Sequence, residues 1–119
     1  MSGKILVVDD EPAMRELLRL HLVNHGYQVI AAEDAVVAGH LVVKEKPDLL
    51  IVDVHMPYMD GYEFVDALKK DPTTRDIPVV FLTTDDNVAT QASRLGAAAY
   101  LAKPVMADRL LDVVRLYVG

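Results

Sequence analysis

The chain has 119 residues, a formal net charge of −6 and no cysteine. This length suits one domain that buries a hydrophobic core without disulfides, so we expect a single domain over residues 1–119. The lack of cysteine excludes a thiolate metal site and a cysteine nucleophile. The negative charge argues against direct binding of nucleic acid or of an anionic membrane, because both require clustered Lys and Arg.

The amino-terminal segment leads directly into a short apolar block at residues 5–8. That block is too short for a signal peptide, and no apolar run approaches the roughly 20 residues of a membrane-spanning helix. We therefore expect a soluble, cytoplasmic protein with no membrane partner.

Short apolar blocks alternate along the chain with longer segments whose apolar residues repeat with a helical period. The blocks predict strands over residues 5–8, 28–32, 49–52, 77–82 and 97–102. Strands that alternate with helices in this way are typical of a parallel sheet covered by helices. There is no internal repeat, linker or low-complexity segment.

Capping and stop signals bound the predicted helices. Pro12 suits the first turn of the first helix, and Gly26 suits its stop. Asp34 can cap the second helix, and Asp60, with an acid three residues later, has the spacing of a capping box that starts the third helix at Gly61. Apolar residues that we expect to face the core from the helices are Met14, Leu17, Leu18, Leu22, Ala38, Leu41, Val42, Phe64, Val65, Leu68, Val88, Ala92, Leu95, Leu110, Val114 and Tyr117.

The most apolar predicted strand, residues 49–52, ends abruptly on Asp53, and a loop with Pro57 follows it. A continuous aliphatic run is typical of a strand buried on both faces, so this carboxylate should lie just beyond the strand's end. Taken alone, Asp53 is as compatible with a simple strand terminator as with a reactive group.

Other predicted strands also end on charged or reactive side chains, namely Asp9 and Asp10, Thr83, and Lys103. Right-handed crossovers bring the carboxyl ends of parallel strands to one edge of the sheet, where ligands of open α/β sheets bind. We therefore expect these residues to form one site with Asp53.

If the first and third strands are neighbours, the carboxylates of Asp9, Asp10 and Asp53 crowd one pocket. All-oxygen ligands favour a hard divalent ion such as Mg²⁺. The alternative is that Asp9 and Asp10 merely favour a helix N-terminus. In the same site, Lys103 could meet a phosphate or a carboxylate as a compact point charge, and the Thr83 hydroxyl could donate to an anion.

Residues 5–11, residues 53–61, Thr83, Tyr100 and the pair at 103–104 occur together along essentially the whole chain. In this combination the chain resembles the receiver domain of a two-component response regulator. The resemblance implies a flavodoxin-like (βα)5 three-layer α/β sandwich, whose five-stranded parallel sheet has the order 2-1-3-4-5, as in CheY.

The resemblance also implies a phosphorylation switch. Asp53 would accept a phosphoryl group from a sensor histidine kinase, a phosphotransfer protein or a small donor, and Lys103 would hold the phosphoryl oxygens. Asp10 and Asp53 would bind Mg²⁺ directly, Asp9 through water, and the His55 carbonyl would complete the protein's ligands. Such a domain is a signalling module, not an enzyme, and catalyses only its own phosphorylation and dephosphorylation.

Signalling in this family implies that Thr83 moves toward the phosphoryl group and that Tyr100 turns into the space it leaves. The peptide bond between Lys103 and Pro104 is expected to be cis. A downstream output domain or protein, or a second copy in a homodimer, would contact the face of the fourth helix, fifth strand and fifth helix. That face would include Asn87, Gln91, Arg94, Tyr100, Asp108, Asp112 and Arg115.

Three residues beside the expected phosphoryl site flank the path of attacking water, and some of them differ from the residues common in the family. Thr84 is bulkier than the small residue common after the switch hydroxyl, Asp85 lies two residues beyond that hydroxyl, and His55 lies two beyond Asp53. We expect these three side chains to tune the lifetime of the phosphoryl group, with the sign left open.

Two other functions are compatible with parts of this pattern. A small Mg²⁺-dependent phosphohydrolase with an aspartate nucleophile would also place paired acids at strand ends, but the chain offers neither a cap domain nor a Walker loop. A receiver fold that serves only constitutive protein contacts is disfavoured, because every position needed for phosphoryl chemistry is filled.

Overall fold

The computed structural model describes residues 3–119, within which five strands alternate with five helices. Met1 and Ser2, which begin the amino-terminal segment discussed above, lie outside the described residues. The strands are β1 (Lys4–Val8), β2 (Gln28–Ala32), β3 (Leu49–Asp53), β4 (Val79–Thr83) and β5 (Ala99–Ala102). The helices are α1 (Pro12–Val23), α2 (Ala35–Glu45), α3 (Gly61–Lys70), α4 (Val88–Leu95) and α5 (Ala107–Val118).

The strands form one parallel sheet in the order β2-β1-β3-β4-β5. The predicted fold class and strand order are therefore confirmed. β1 and β3 are neighbours, with Val8 opposite Val52, so the residues that follow them emerge side by side. On the other side of β3, Asp53 pairs with Leu82 of β4.

Two hydrophobic cores cover the two faces of the sheet. On one face, α2, α3 and α4 pack through residues such as Val42, Phe64 and Leu95. On the other face, α1 and α5 pack through residues such as Leu22 and Val114. Every residue of β3 and β4 is buried, as expected for central strands of a parallel sheet.

The predicted helix starts are confirmed by their caps. Pro12 occupies the first turn of α1, and the Asp34 carboxylate accepts the Val37 N–H at 2.9 Å at the start of α2. At the start of α3, Asp60 accepts the Glu63 N–H at 2.9 Å, and the Glu63 carboxylate accepts the Asp60 N–H at 3.3 Å. This reciprocal capping box fixes the point at which the chain leaves the loop after β3.

Two predicted strands begin too early. β4 starts at Val79, because the ring of Pro78 leaves no N–H to donate, although its carbonyl accepts the Leu50 N–H at 3.0 Å. β5 starts at Ala99, because the N–H of Ala97 closes the end of α4 by donating to the Ala92 carbonyl at 2.9 Å.

Two residues predicted to face the core lie at the surface. Leu17 is 43% exposed, because the buried stripe of α1 centres on Leu18 and Leu22 and is narrower than the apolar stripe expected from the sequence. Tyr117 is 40% exposed, and its hydroxyl donates to the Ala98 carbonyl at 2.9 Å. Within residues 3–119, no helix is both long and apolar enough to cross a membrane.

Candidate functional site

Three carboxylates meet at the carboxyl edge of the sheet. Asp53 is the last residue of β3, and Asp9 and Asp10 follow β1. One oxygen from each of the three side chains lies within 4.8 Å of the others. Asp9 and Asp53 are buried, whereas Asp10 is exposed. The predicted convergence of these acids is therefore confirmed, and the cluster is open to solvent at Asp10.

Lys103 reaches this carboxylate cluster from β5, two strands away from β3. Its Nζ lies 3.1 Å from Asp53 Oδ1, 3.5 Å from Asp9 Oδ2 and 3.8 Å from Glu11 Oε1. The sequence pattern predicted that Lys103 lies in one site with Asp53, but it did not indicate the contact with Glu11. One lysine cannot neutralise the four acids at this edge, so the cluster keeps an excess of negative charge.

Burial and the neighbouring charges both act on the pKa of Asp53. Burial is the main cause that raises the pKa of Asp53 from 3.8 to about 6, and the negative charge of Asp9 adds to it. Lys103 and the His55 N–H act in the opposite direction. Burial also raises the pKa of Asp9, against the Glu11 N–H and Lys103. Bringing a further positive charge into the cluster would favour the ionised form of both acids.

Backbone and arginine groups orient these acids. The His55 N–H donates to Asp53 Oδ1 at 3.3 Å, and the Glu11 N–H donates to Asp9 Oδ1 at 2.9 Å. Arg15 Nη1 donates to the Asp9 carbonyl oxygen at 2.7 Å, a contact that the sequence pattern did not indicate. The side chain of His55 is exposed, so this residue faces the site with its backbone.

Gly61 lets α3 approach the backbone of Asp53. A Cβ atom at position 61 would lie 2.5 Å from the Asp53 carbonyl oxygen and 2.9 Å from Val54 Cα. The Gly61 N–H donates to the Val54 carbonyl at 2.8 Å. Such contacts leave no room for a side chain, so glycine is required here by close packing.

Thr83 ends β4 and is buried, and its Oγ1 accepts the Asp85 N–H at 2.9 Å. The Thr83 carbonyl accepts the Lys103 N–H at 3.1 Å, which joins the two strand ends. Tyr100 lies on β5 with 45% of its surface exposed. The peptide bond between Lys103 and Pro104 is cis, as expected.

The residues expected to flank the phosphoryl site differ in their surroundings. Thr84 is exposed, as is His55. Asp85 is instead hydrogen-bonded to α3, because the Tyr62 hydroxyl donates to its Oδ2 at 2.8 Å. No local pattern in the sequence pointed to Tyr62, which follows the start of α3 and lies 23 residues before its partner.

The carboxylate cluster has the chemistry of a site for a hard cation. Its donors are oxygens, two of its acids are buried, and their negative charge exceeds the charge of Lys103. Mg²⁺ prefers such ligands and keeps several waters, which the exposure of Asp10 to solvent permits. The donor set therefore fits Mg²⁺.

A family model described as "Response regulator receiver domain" matches residues 5–115. The chain is 42% identical over 117 residues to response regulator MprA of Mycobacterium bovis, and this alignment covers 97% of the chain and 50% of MprA. The chain thus spans about half the length of the curated relatives it matches.

Solved structures of similar proteins share the whole fold. The chemotaxis response regulator CheY4 of Vibrio cholerae superposes with a TM-score of 0.92 at 31% identity, covering 99% of this chain and 100% of CheY4. The signal receiver domain of a signal transduction histidine kinase from Syntrophus aciditrophicus superposes with a TM-score of 0.88 at 36% identity, covering 98% and 90% of the two chains.

Proposed function

Because the chain belongs to the response regulator receiver domain family, we propose that Asp53 accepts a phosphoryl group from a histidine kinase or a phosphotransfer protein in a Mg²⁺-dependent reaction. The observation that carries the proposal is the contact of the buried Asp53 carboxylate with Lys103 Nζ at 3.1 Å, beside the carboxylates of Asp9 and Asp10.

The reaction is an in-line displacement at phosphorus. A bond forms between a carboxylate oxygen of Asp53 and the phosphorus atom, while the bond from phosphorus to the donor's imidazole nitrogen or acyl oxygen breaks. An ionised Asp53 is already a nucleophile, so no general base is required. Lys103 holds its positive charge where the phosphoryl oxygens gather charge, and positioning supplies most of the catalysis.

The residues that would hold Mg²⁺ are Asp10 and Asp53 directly, Asp9 through water, and the backbone carbonyl of His55. When bound, this ion supplies positive charge that offsets the repulsion between the carboxylates and the phosphoryl oxygens. The burial of Asp53 and Asp9 beside a single lysine supports this assignment, because a bound cation would favour the charged form of both acids.

The phosphoryl group would change the surface of the domain through Thr83 and Tyr100. Thr83 still has a hydroxyl proton to donate to a phosphoryl oxygen, because its Oγ1 accepts the Asp85 N–H. The half-exposed Tyr100 would then turn inward, which alters the face formed by α4, β5 and α5. We propose that an output domain or downstream protein contacts this face, or a second copy of the chain in a homodimer.

His55, Thr84 and Asp85 would tune the phosphoryl lifetime. Comparing autodephosphorylation rates of Thr84→Ala and Asp85→Ala with the parent tests this part, and unchanged rates in both variants would refute it.

The phosphohydrolase alternative is not favoured by the family match, and the domain is a signalling module.

The proposal is tested by labelling with acetyl [³²P]phosphate and Mg²⁺. The parent should gain one label that hydroxylamine removes, as expected for an acyl phosphate, and Asp53→Asn should gain none. Asp66→Asn, which changes an acid on α3 paired with Lys70, is the matched control and should label like the parent. Full labelling of Asp53→Asn would contradict the proposal, and repeated turnover of a phosphomonoester would point to the phosphohydrolase.

A further inference from the structure

A side-chain hydrogen bond ties α3 to the loop that follows β4. Tyr62, the second residue of α3, donates its hydroxyl to Asp85 Oδ2 at 2.8 Å. Asp85 lies two residues beyond Thr83, whose hydroxyl moves toward the phosphoryl group in the proposed function. We call this hydrogen bond the Tyr62 tether. It connects two segments that the sheet itself does not join.

The loop of residues 83–87 is folded around Asp85. The Asp85 N–H donates to Thr83 Oγ1 at 2.9 Å, and Asp85 Oδ1 accepts the Asn87 N–H at 3.0 Å. A movement of the Thr83 hydroxyl toward Asp53 must therefore either break its bond to the Asp85 N–H or carry Asp85 with it. The tether opposes the second route, because it holds the Asp85 side chain against α3.

The tyrosine end of the tether is itself anchored. The Tyr62 ring packs edge-on against Phe81, with ring centroids 5.1 Å apart and an interplanar angle of 79°. Phe81 is fully buried in β4. The aromatic pair therefore holds the ring in place even without the hydroxyl, and the tether adds a directional bond from this fixed ring to the mobile loop.

Both partners keep the ionisation states that the tether requires. Burial, followed by the bond to Asp85, raises the pKa of Tyr62. The Asn87 N–H, followed by the Tyr62 hydroxyl, lowers the pKa of Asp85. At neutral pH the hydroxyl is therefore a donor and the carboxylate a charged acceptor, which makes the bond stronger than one between neutral groups.

We propose that Tyr62 is a positioning residue that restrains the loop of residues 83–87 in its unphosphorylated arrangement and so opposes the conformational switch. This inference rests on the proposed function, in which Thr83 moves toward a phosphoryl group on Asp53. Removing the tether lowers the free energy needed to reach the switched state, which raises its population before phosphorylation.

The test uses Tyr62→Phe, which removes the hydroxyl and keeps the ring on Phe81. Beryllium fluoride with Mg²⁺ serves as the phosphoryl analogue, and calorimetric titration measures its affinity for the full chain. In the proposal, the bond from Tyr62 to the charged Asp85 stabilises the unswitched state, so Tyr62→Phe removes stabilisation from that state alone. We therefore expect Tyr62→Phe to bind the analogue about tenfold more tightly than the parent. Equal or weaker binding would overturn the proposal.

Tyr117→Phe is the matched control. Tyr117 of α5 also donates its hydroxyl at 2.9 Å, but its acceptor is the carbonyl of Ala98, just before β5, and not a residue of the loop after β4. Loss of a tyrosine hydrogen bond there should leave analogue affinity at the parent value. Thermal unfolding of both variants shows that each is folded before titration.

A double-mutant cycle separates the tether from other effects of Tyr62. On an Asp85→Ala background, Tyr62→Phe should change analogue affinity less than twofold, because the acceptor is already gone. A persistent tenfold effect would assign the change to something other than the tether. If the parent fails to bind the analogue, or Asp53→Asn binds it as well as the parent does, the proposed function itself fails. If those two results are as expected and Tyr62→Phe matches the parent, only the tether is wrong.

Discussion

Two partly buried lysines lie at opposite edges of the sheet and have opposite surroundings. At the carboxyl edge, Lys103 Nζ faces the carboxylates of Asp9 and Asp53. At the amino edge, Lys69 Nζ in the last turn of α3 donates to the carbonyl oxygens of Arg75 at 3.0 Å and Ile77 at 3.3 Å. Residue type and burial are similar, so the partners make the difference.

The pKa values of the two lysines shift in opposite directions. Burial favours neutral Lys103, but its carboxylate neighbours outweigh this and raise its pKa. Burial lowers the pKa of Lys69, and Asp76 opposes this only in part. Lys69 therefore holds a turn to a helix through neutral dipoles. Lys103 holds anions whose remaining negative charge can still attract a metal ion.

The shape of the surface does not distinguish these two edges in the same way. A cavity of about 490 Å³ lies near the amino edge, lined by residues that include Val42, Pro47, Thr74 and Ile77. None of the predicted site residues lines it. In this molecule the chemistry is marked by buried charge, not by the volume of a cavity.

The largest expected effect separates the two lysines directly. Lys103→Met should reduce the initial rate of labelling from acetyl phosphate with Mg²⁺ about 100-fold, because it removes a fixed charge that stabilises the transferring phosphoryl group. Lys69→Met should label at the parent rate. Equal losses in the two variants would remove the distinction between the edges.

The next effect concerns the pH dependence of stability without metal. The pKa of Asp53 rises from 3.8 in the unfolded chain to about 6 in the fold, so the folded protein keeps a proton that the unfolded chain loses. Stability should therefore fall as pH rises from about 4 to about 6, by roughly 2–3 kcal/mol, and stay lower above that range.

Asp53→Asn should lose the part of this fall that Asp53 causes and should be more stable than the parent at pH 7. Urea unfolding in a chelating buffer at several pH values measures it. Asp66→Asn, at an exposed ion pair, should follow the parent curve. An Asp53→Asn curve that runs parallel to the parent curve between pH 4 and 6 would contradict the charge balance described for the carboxyl edge.

Backbone packing at the carboxyl edge predicts an effect of about 2 kcal/mol. Gly61→Ala should destabilise the fold by roughly this amount, because the new methyl group meets the backbone of Asp53. Gly39→Ala is the matched control in α2, where an added Cβ has nothing within 4 Å, and it should stabilise by about 0.5–1 kcal/mol. Urea unfolding measures both, and equal effects would argue against the close approach at Gly61.

The smallest effect concerns the amino edge. Lys69→Met should destabilise the protein by about 1 kcal/mol, because the carbonyls of Arg75 and Ile77 lose their donor. Lys70→Met is the control, since Lys70 forms an exposed ion pair with Asp66, and its effect should stay below about 0.5 kcal/mol. Indistinguishable unfolding free energies for the two variants would show that the carbonyl contacts of Lys69 contribute little.

Much of the fold could be predicted from the sequence because its signals are local. Apolar blocks and caps gave all five strands and helices, and the capping box at Asp60 was confirmed. The errors at β4 and β5 came from residues whose N–H groups were absent or used elsewhere, namely Pro78 and Ala97. Leu17 was misjudged because spacing alone does not set the width of a buried stripe.

The candidate site was predicted only where backbone topology carries the information. Right-handed crossovers predicted that Asp9, Asp53 and Lys103 share one edge of the sheet, and the strand order implied by the family resemblance made β1 and β3 neighbours. The contacts of Arg15 with the Asp9 carbonyl and of Tyr62 with Asp85 were missed. Each depends on the direction and reach of one long side chain, and neither partner has a sequence pattern that marks it.

The sequence by itself determined the alternation of strands and helices, the acids at the strand ends and the resemblance to receiver domains. Only the tertiary structure decided that Asp9 and Asp53 are buried while Asp10 is exposed, that Lys103 contacts both buried acids, and that the Tyr62 hydroxyl donates to Asp85. The physical reason is that burial, pKa and hydrogen bonding depend on distances between segments far apart in the chain, whereas periodicity and capping depend on near neighbours.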